Sequence, residues 1–293
     1  MTERRILFVH AHPDDESSKG AATAARYADE GASVVLVTCT AGEAGEVLNP
    51  GCPPVEPAEM SATRKRELEA AVAIIGFTGR YEFGYVDSGY HEDRTAVADT
   101  AFSRQPIDEP GAAFATILRQ ERPHVVVTYP PDGGYPHPDH IMCYEVTMRA
   151  LELAEDAAAD VAGEPWRVPK VYASHSFPPD RVLALHAALT ERGLDSPFEG
   201  WPERQAQREA DAIAAGRPVA GWPCDARVLV ANWFDRRDRA LLAHVTQIDP
   251  DGMWFGWPRD LEAELYPWEC FTALRSDVAT SSPEDDLFAG LGI

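Results

Sequence analysis

Three apolar runs of strand length place the strongest constraint on how this chain can fold. They are residues 5–10 (RILFVH), 32–39 (ASVVLVTC) and 124–129 (HVVVTY), and the first and third run directly into polar loops. Continuous apolar runs of this length suit strands that are buried on both faces, as in a parallel sheet. Residues 17–30 have helical spacing and are followed by Gly31, which predicts a βαβ unit.

The rest of the chain continues this alternation of strands and helices. Further helices are predicted over 62–75, 113–121, 141–156, 181–191 and 234–246, and further strands over 81–85, 168–177 and 228–232. Residues 91–110 carry many charges without a clear period, so we expect a surface loop there. The pattern predicts an α/β fold: a Rossmann-like, largely parallel sheet with helices on both faces.

The pattern loosens beyond Gly163, and this suggests how the chain is organised. We expect a Rossmann-like catalytic core over residues 1–165, and a smaller C-terminal α/β extension over 166–293 that completes the substrate pocket. The five cysteines are odd in number and include no CxxC pair, so neither a structural zinc site nor a disulfide framework is predicted. The oligomeric state is not predicted.

Charge and apolar content exclude several classes of function. The 293 residues include 26 basic and 48 acidic side chains, a formal net charge of −22. Such a surface repels phosphate backbones and anionic lipid, so we expect neither nucleic acid nor membrane as a partner. The first 12 residues hold only a four-residue apolar run after a basic pair, which is too short for an export signal. A cytoplasmic location is expected.

Two clusters of histidine and aspartate follow the first and third apolar runs. Residues 12–16 read HPDDE, and residues 137–140 read HPDH. Either cluster alone is typical of a turn with a helix cap, because Asp and Pro favour helix N-termini. Functional sites in open parallel sheets lie at the carboxyl ends of the strands, where loops distant in sequence meet. The occurrence of both clusters at strand ends favours a functional site.

The residue types in the two clusters indicate metal-dependent hydrolysis. Two imidazoles and one carboxylate make a typical catalytic zinc site with a fourth position for water, although ferrous iron fits the same ligands. Zinc lowers the pKa of its bound water to about 7 and polarises a carbonyl group. Hydrolysis also needs a base and an acid, and a carboxylate and an imidazole remain after three ligands are assigned.

The motif AHPDDES together with HPDH closely resembles the zinc-dependent deacetylases of the LmbE/PIG-L superfamily. The resemblance extends to GEVLNP, VDSG, GGYPHPDH and AHVTQID, in an order that spans nearly the whole chain. It implies a linear-amide hydrolase of the branch that cleaves mycothiol S-conjugates. The small-molecule substrate would be a thiol–sugar conjugate. Cleavage of its bond between N-acylcysteine and glucosamine would give a mercapturic acid and glucosaminyl-inositol in thiol-based detoxification.

Other functions stay open at this stage. The sister activity is deacetylation of N-acetylglucosaminyl-inositol in mycothiol biosynthesis, and a related amidase acting on a natural-product thiol conjugate is a further enzyme alternative. A sugar- or nucleotide-binding module without catalysis is a different class, although no GxGxxG follows the first strand. The loops at 89–106 and 128–132 differ from the amidase pattern, so the preferred S-conjugates are not predicted.

The resemblance assigns roles to the residues of the two clusters. It implies that His12, Asp15 and His140 bind zinc, one ion per chain. By the same match, Asp14 corresponds to the general base. His137 corresponds to the imidazole that stabilises the oxyanion and protonates the leaving amine.

Four further residues match family positions around this centre. Asp139 corresponds to a carboxylate that orients a histidine. Tyr135 corresponds to a tyrosine on a mobile loop that helps to stabilise the tetrahedral intermediate, and its alternative is a surface aromatic between glycines. His244 and Gln247 belong to a C-terminal motif and either close the pocket or form structural hydrogen bonds.

Three residues are substrate-binding candidates by resemblance. Arg64 matches an arginine that contacts the inositol side of the substrate, with Arg66 as its competitor and a solvated helix face as the alternative. Asp87 matches a carboxylate that binds glucosamine hydroxyls, but it is also an ordinary turn residue. Lys19 stands in the SSKG form typical of the amidase branch, where a surface cation is the alternative.

Overall fold

The computed structural model of the chain describes residues 3–91, 96–214 and 223–293, without the side chains of residues 208, 209 and 212. The fold is organised by a seven-stranded sheet. Its strands are β1 (Arg5–His10), β2 (Ser33–Thr40), β3 (Gly79–Tyr85), β4 (Val125–Thr128), β5 (Lys170–Ser174), β6 (Ala226–Leu229) and β7 (Trp268–Ser276). Their order across the sheet is β3-β2-β1-β4-β5-β7-β6. The first five are parallel, and β7 runs antiparallel to β5 and β6.

Helices cover both faces of this sheet. They are α1 (Asp15–Ser18), α2 (Ala21–Asp29), α3 (Pro57–Ile75), α4 (Asp108–Glu121), α5 (Pro138–Glu155), α6 (Pro179–Glu191), α7 (Trp201–Ala214), α8 (Phe234–Ala243) and α9 (Arg259–Leu265). Ile6 and Phe8 of β1 contribute to the core beneath α2 and α3, whereas Leu7 and Val9 contribute to the core beneath α4 and α5. Burial on both faces explains the continuous apolar runs, and the predicted α/β fold is confirmed.

Several predicted boundaries move, mostly at proline and glycine. Helices α3, α5 and α6 begin at Pro57, Pro138 and Pro179, two to five residues before the predicted starts, because proline is favoured in the first helical turn. The single helix predicted over 17–30 is two helices. Gly20 lies between them with φ 82°, a left-handed conformation that glycine adopts readily.

The surface loop predicted over 91–110 is only partly correct. Residues 92–95 lie outside the described part of the chain. Phe102 is fully buried at the start of a short 3-10 helix (Phe102–Arg104), and its ring stacks 5.2 Å from that of Tyr85. Helix α4 begins at Asp108. The many charged side chains of this segment made it read as a surface loop, although the buried Phe102 attaches it to the core.

The C-terminal residues contain elements that the sequence pattern did not reveal. Helices α7 and α9 and strand β7 were not predicted, and β7 joins the same sheet as the N-terminal strands. The division at residue 165 stays a prediction. Cys224 and Cys270 form a disulfide, contrary to the expectation from cysteine spacing. Residue 270 pairs with Arg227 across β6 and β7, which brings together two cysteines that are 46 residues apart.

Candidate metal and active site

The loops after β1 and β4 meet at the carboxyl edge of the sheet. Asp15 Oδ2 lies 3.3 Å from His12 Nδ1 and 3.4 Å from His140 Nε2. All three side chains are buried. The fold therefore brings together the three residues that the sequence proposed as metal ligands, from positions 125 residues apart.

The hydrogen bonds of the two imidazoles leave one nitrogen of each free to face Asp15. His140 Nδ1 lies 3.1 Å from the carbonyl oxygen of Gly133, which assigns the proton to Nδ1. His140 Nε2 is buried without a hydrogen-bond partner in the described residues. His12 Nε2 lies 3.2 Å from Asp139 Oδ2, so its Nδ1 is the free nitrogen. Two imidazole nitrogens and a carboxylate oxygen fit the ligand set of Zn2+.

In the described part of the chain, two groups of side chains have potential ligand atoms that all lie close to one another. They are His12 with His137 and His140, and His12 with Asp87 and Asp139, each with potential ligand atoms within 4.8 Å of one another. His137 Nδ1 already accepts the backbone N–H of Asp139 at 3.2 Å. The carboxylates of Asp87 and Asp139 accept backbone N–H groups from the loop after β3. These bonds favour supporting roles for the two aspartates.

Asp15 is fixed by three hydrogen-bond donors, one of which is the backbone N–H of His12 at 3.0 Å from Oδ2. The Tyr129 hydroxyl donates to Asp15 Oδ2 at 2.6 Å and accepts the backbone N–H of Ala11. Lys19 Nζ lies 2.5 Å from Asp15 Oδ1. Burial opposes ionisation, but Lys19 and His140 hold the pKa of Asp15 well below its usual value. Tyr129 was missed because it reads as the last residue of a buried strand.

Asp14 occupies a strained position at the start of α1. Its φ of 115° is unusual for a residue other than glycine. Arg64 Nη2 lies 2.7 Å from Asp14 Oδ2, and the same guanidinium donates to the carbonyl oxygens of Pro13 and Gly42. Burial raises the pKa of Asp14 despite the nearby arginine. Arg64 is buried, whereas its competitor Arg66 is exposed.

A buried pair of ionisable groups lies behind the Asp14 loop. Glu16 Oε2 accepts the backbone N–H of Asp14 at 2.9 Å, and His244 Nε2 lies 2.7 Å from Glu16 Oε1. Burial opposes charge on both groups. Even so, their attraction lowers the pKa of Glu16 and raises the pKa of His244. Gln247 donates instead to the carbonyl oxygen of Glu46, which ties the C-terminal motif to the GEVLNP loop.

The VDSG loop after β3 supports the opposite side of the site. The backbone N–H of Ser88 donates to Asp139 Oδ2 at 2.9 Å, and the Ser88 hydroxyl donates to the other carboxylate oxygen. Asp139 in turn contacts His12, as the predicted orienting role requires. Asp87 Oδ1 lies 3.5 Å from His12 Nε2. Burial opposes ionisation of Asp87, but contact with His12 lowers its pKa.

His137 and Tyr135 border the space above the predicted ligands. The His137 ring lies 4.5 Å from that of His12, and burial, with His12 and His140 nearby, lowers the pKa of His137 to about 3. The Tyr135 ring is half exposed and lies 4.7 Å from that of His140. Burial raises the pKa of Tyr135 well above its usual value.

A cavity of about 450 Å3 opens directly on this centre. Its lining combines Asp14, Asp15, Lys19 and Tyr135 with residues of the C-terminal half. Among the described residues, the apolar part of the lining is Leu48, Phe177, Ile248, Met253 and Trp254. The arrangement is a buried ligand set at one end of a spacious, partly apolar pocket, which is the usual form of a small-molecule site.

The fold, this site and the relatives of the chain together define a hydrolase that acts on an amide bond. Residues 7–151 match the family described as PIG-L, GlcNAc-PI de-N-acetylase. A Streptomyces coelicolor protein named mycothiol S-conjugate amidase is 42% identical over 300 residues, which cover 99% of each chain. A Streptomyces avermitilis protein named 1D-myo-inositol 2-acetamido-2-deoxy-alpha-D-glucopyranoside deacetylase is 36% identical over 99% of this chain and 98% of its own. The chain belongs to the PIG-L (LmbE) family.

A solved structure supports the same fold. The N,N'-diacetylchitobiose deacetylase of Pyrococcus horikoshii aligns with a TM-score of 0.61 and 16% sequence identity, over 93% of this chain and 84% of that one. The predicted family is thus confirmed, and so is the prediction of an enzyme that acts on an amide. No helix in the described ranges has the length and apolar character of a membrane span.

Proposed function

We propose that the chain is a zinc-dependent amidase that hydrolyses the bond between N-acylcysteine and glucosamine in mycothiol S-conjugates. Its products would be a mercapturic acid and glucosaminyl-inositol. The observation that carries the proposal is the apolar part of the cavity of about 450 Å3 beside Asp14 and Asp15, because neither the shared sugar nor an acetyl group accounts for Leu48, Phe177 and Trp254 in its lining. The 42% identity to a protein of that name supports the same substrate class.

In this proposal each side chain at the centre has a separate role in hydrolysis. Zinc held by His12, Asp15 and His140 would supply an acidified water and polarise the amide carbonyl. Asp14 faces the cavity beside Asp15 and accepts the proton of the attacking water. His137 donates its Nε2–H to the developing oxyanion, and it relays to the glucosamine nitrogen the proton that Asp14 has taken from the water as the C–N bond breaks.

Other residues would orient these groups and hold the substrate. Asp139 fixes the orientation of the His12 ring by accepting a hydrogen bond from its Nε2–H. Tyr135 lies over the proposed metal site and helps to stabilise the oxyanion of the tetrahedral intermediate. Asp87 would bind glucosamine hydroxyls, and Lys19 would contact the acyl side. Arg64 reaches the inositol side only if it releases some of its bonds to the Asp14 loop.

A second candidate is deacetylation of N-acetylglucosaminyl-inositol, which relatives of 36% and 37% identity favour by their names. Metal-quantified protein should be assayed in parallel with the bimane conjugate of mycothiol and with the N-acetyl sugar. We expect kcat/KM for the conjugate to be at least about tenfold higher, because the two acyl groups differ greatly in size. The reverse ratio would establish the deacetylase, and no turnover of either substrate would contradict amide hydrolysis.

The proposed ligand set makes a separate prediction. His140→Ala should retain less than about one-tenth of the wild-type metal and lose activity, because it removes one of only three proposed protein ligands. His186→Ala is the matched control, since His186 lies on α6 and bonds to Ser196 away from the site. Metal content is measured by mass spectrometry. A metal-loaded, active His140→Ala protein would overturn the ligand assignment.

A further inference from the structure

The C-terminal half of the chain contributes both polar and apolar residues to the cavity lining. The polar ones are Ser174, His175, Ser176 and Gln247, and the apolar ones include Phe177, Met253 and Trp254. Phe177 follows β5, and Met253 and Trp254 form a short 3-10 helix before α9. Leu48 of the GEVLNP loop joins these apolar residues in the lining. The backbone N–H of Leu48 donates to the carbonyl oxygen of Thr246, so the loop is attached to the C-terminal segment.

These apolar residues form an aromatic wall, defined as Leu48, Phe177, Met253 and Trp254, which is held in place from behind. The rings of Phe177 and Trp254 lie 4.6 Å apart, and Phe177 also lies 6.1 Å from Phe198 in the apolar cluster beneath α6. Arg259 donates to the carbonyl oxygen of Trp254 at 2.6 Å. A wall supported in this way needs little reordering when a ligand binds.

The exposure of the wall points to a ligand. Leu48 is 62% exposed and Met253 is 47% exposed, and the half-exposed Tyr135 lines the same cavity. Adjacent exposed apolar groups next to a polar centre mark a binding site rather than chance surface. Solvent contact at this wall is lost when an apolar group of a ligand fills the cavity.

The chemistry of the wall matches one side of the scissile amide better than the other. The glucosaminyl-inositol side carries many hydroxyl groups, each of which needs a hydrogen-bond partner when buried. Asp87, the proposed sugar ligand, contacts His12 and lies outside the cavity lining formed by the described residues. The wall instead presents aromatic faces, a thioether and a leucine side chain, which suit an apolar group.

We propose that the aromatic wall is the subsite for the sulfur substituent of the acyl group, and that it selects bulky aromatic S-substituents over small ones. The inference rests on the proposed amidase function and deepens it. Trp254 and Met253 act here as specificity residues: they contact the S-substituent and take no part in bond breaking. The amide would then lie across Asp14 and Asp15 with its sugar pointing away from the wall.

Two mycothiol conjugates that differ only at sulfur test this subsite. For Trp254→Ala, kcat/KM with the S-benzyl conjugate should fall about tenfold, whereas kcat/KM with the S-methyl conjugate should change by less than about twofold. Met253→Ala, whose side chain is already half exposed, should give the same pattern with a smaller loss. Leu183→Ala, an exposed apolar position on α6, is the control and should change neither value.

Product inhibition provides an independent readout. N-acetyl-S-benzylcysteine should inhibit the wild type more tightly than N-acetyl-S-methylcysteine, and Trp254→Ala should abolish that preference. Equal losses with both conjugates would place the wall against the shared sugar, and unchanged ratios would place the S-substituent elsewhere; either outcome overturns the subsite alone. If the wild type turns over neither conjugate, the amidase function fails, and the subsite fails with it.

Discussion

At the scale of single residues, the site depends on backbone geometry as much as on acids and imidazoles. The carbonyl oxygen of Gly133 assigns the proton to His140 Nδ1, which leaves Nε2 free to bind a metal. Gly133 has φ 75°, and a Cβ there would lie 2.8 Å from both His140 Cβ and the carbonyl oxygen of Tyr135. The loop therefore approaches His140 more closely than a residue with a side chain would permit.

Gly133→Ala should disturb the site without removing any proposed ligand. We expect destabilisation by about 2–3 kcal/mol from the left-handed backbone and the clash. Activity should fall by about tenfold or more, because the His140 ring is displaced. Urea unfolding and kcat/KM measure the two effects.

The matched control for this change is Gly84→Ala. Gly84 has φ 70°, but a Cβ there meets nothing within 4 Å. Its substitution should cost about 1–2 kcal/mol through backbone strain alone and leave kcat/KM unchanged. Equal activity in the two variants would mean that the close approach of Gly133 has no part in positioning His140.

Residue by residue, the sequence predicted those members of the site that belong to local motifs. His12 lies in the loop after β1, and Asp15 and His140 lie in the first turns of the helices that follow β1 and β4. The rule that sites form at the carboxyl ends of parallel strands placed them together. Glu16 and His244 are 228 residues apart and share no periodic pattern, so their contact arises only from the tertiary fold. The contribution of Tyr129 to the site was not predicted, because its hydroxyl bonds to Asp15, which is 114 residues away in the sequence.

At the scale of secondary structure, the buried parallel strands were the most predictable elements. Residues 6–9 of β1 are apolar without interruption because both faces of the strand are covered. Strand β7, with the sequence WECFTALRS, was missed because the partly exposed residues at its two ends mix charged with apolar side chains. Its antiparallel insertion between β5 and β6 has no local sequence signal, since strand order follows from long-range pairing.

The start of β4 makes stability dependent on pH. His124 Nδ1 accepts the backbone N–H of Arg5 at 3.2 Å, and His124 Nε2 lies 3.2 Å from the Arg5 guanidinium. Burial, together with Arg5, lowers the pKa of His124 to about 4. The unfolded chain therefore binds the proton more readily, and the contribution of this group is lost as pH falls from about 6.5 to about 4.

His124→Gln should remove that pH dependence while it retains an acceptor near Arg5. Over this window, the free energy of unfolding should fall less steeply in the variant, by at most about 1.4 kcal/mol per pH unit. Denaturant titrations at several pH values provide the comparison with wild type. Parallel curves for the two proteins would show that His124 titrates alike in the folded and unfolded states.

At the scale of the whole molecule, a buried ionic network joins the C-terminal helices behind the aromatic wall. The Glu262 carboxylate on α9 accepts hydrogen bonds from Arg181, Arg237, Trp257 and Arg259. Burial opposes its ionisation, but Arg181 and Arg237 hold the pKa of Glu262 well below its usual value. The carboxylate of Glu262 therefore pairs with arginine side chains from three helices, α6, α8 and α9.

Glu262→Gln should expose how strongly the C-terminal half depends on that charge. The variant keeps the side-chain shape but leaves the buried Arg181 without its counter-ion and leaves Arg237 and Arg259 with only Asp238. We therefore expect a loss of about 3 kcal/mol in unfolding free energy. Glu264→Gln on the same helix is the control, because Glu264 is exposed and its loss should cost less than about 0.5 kcal/mol. Equal urea midpoints for the two variants would mean that hydrogen bonding, rather than charge, joins these helices.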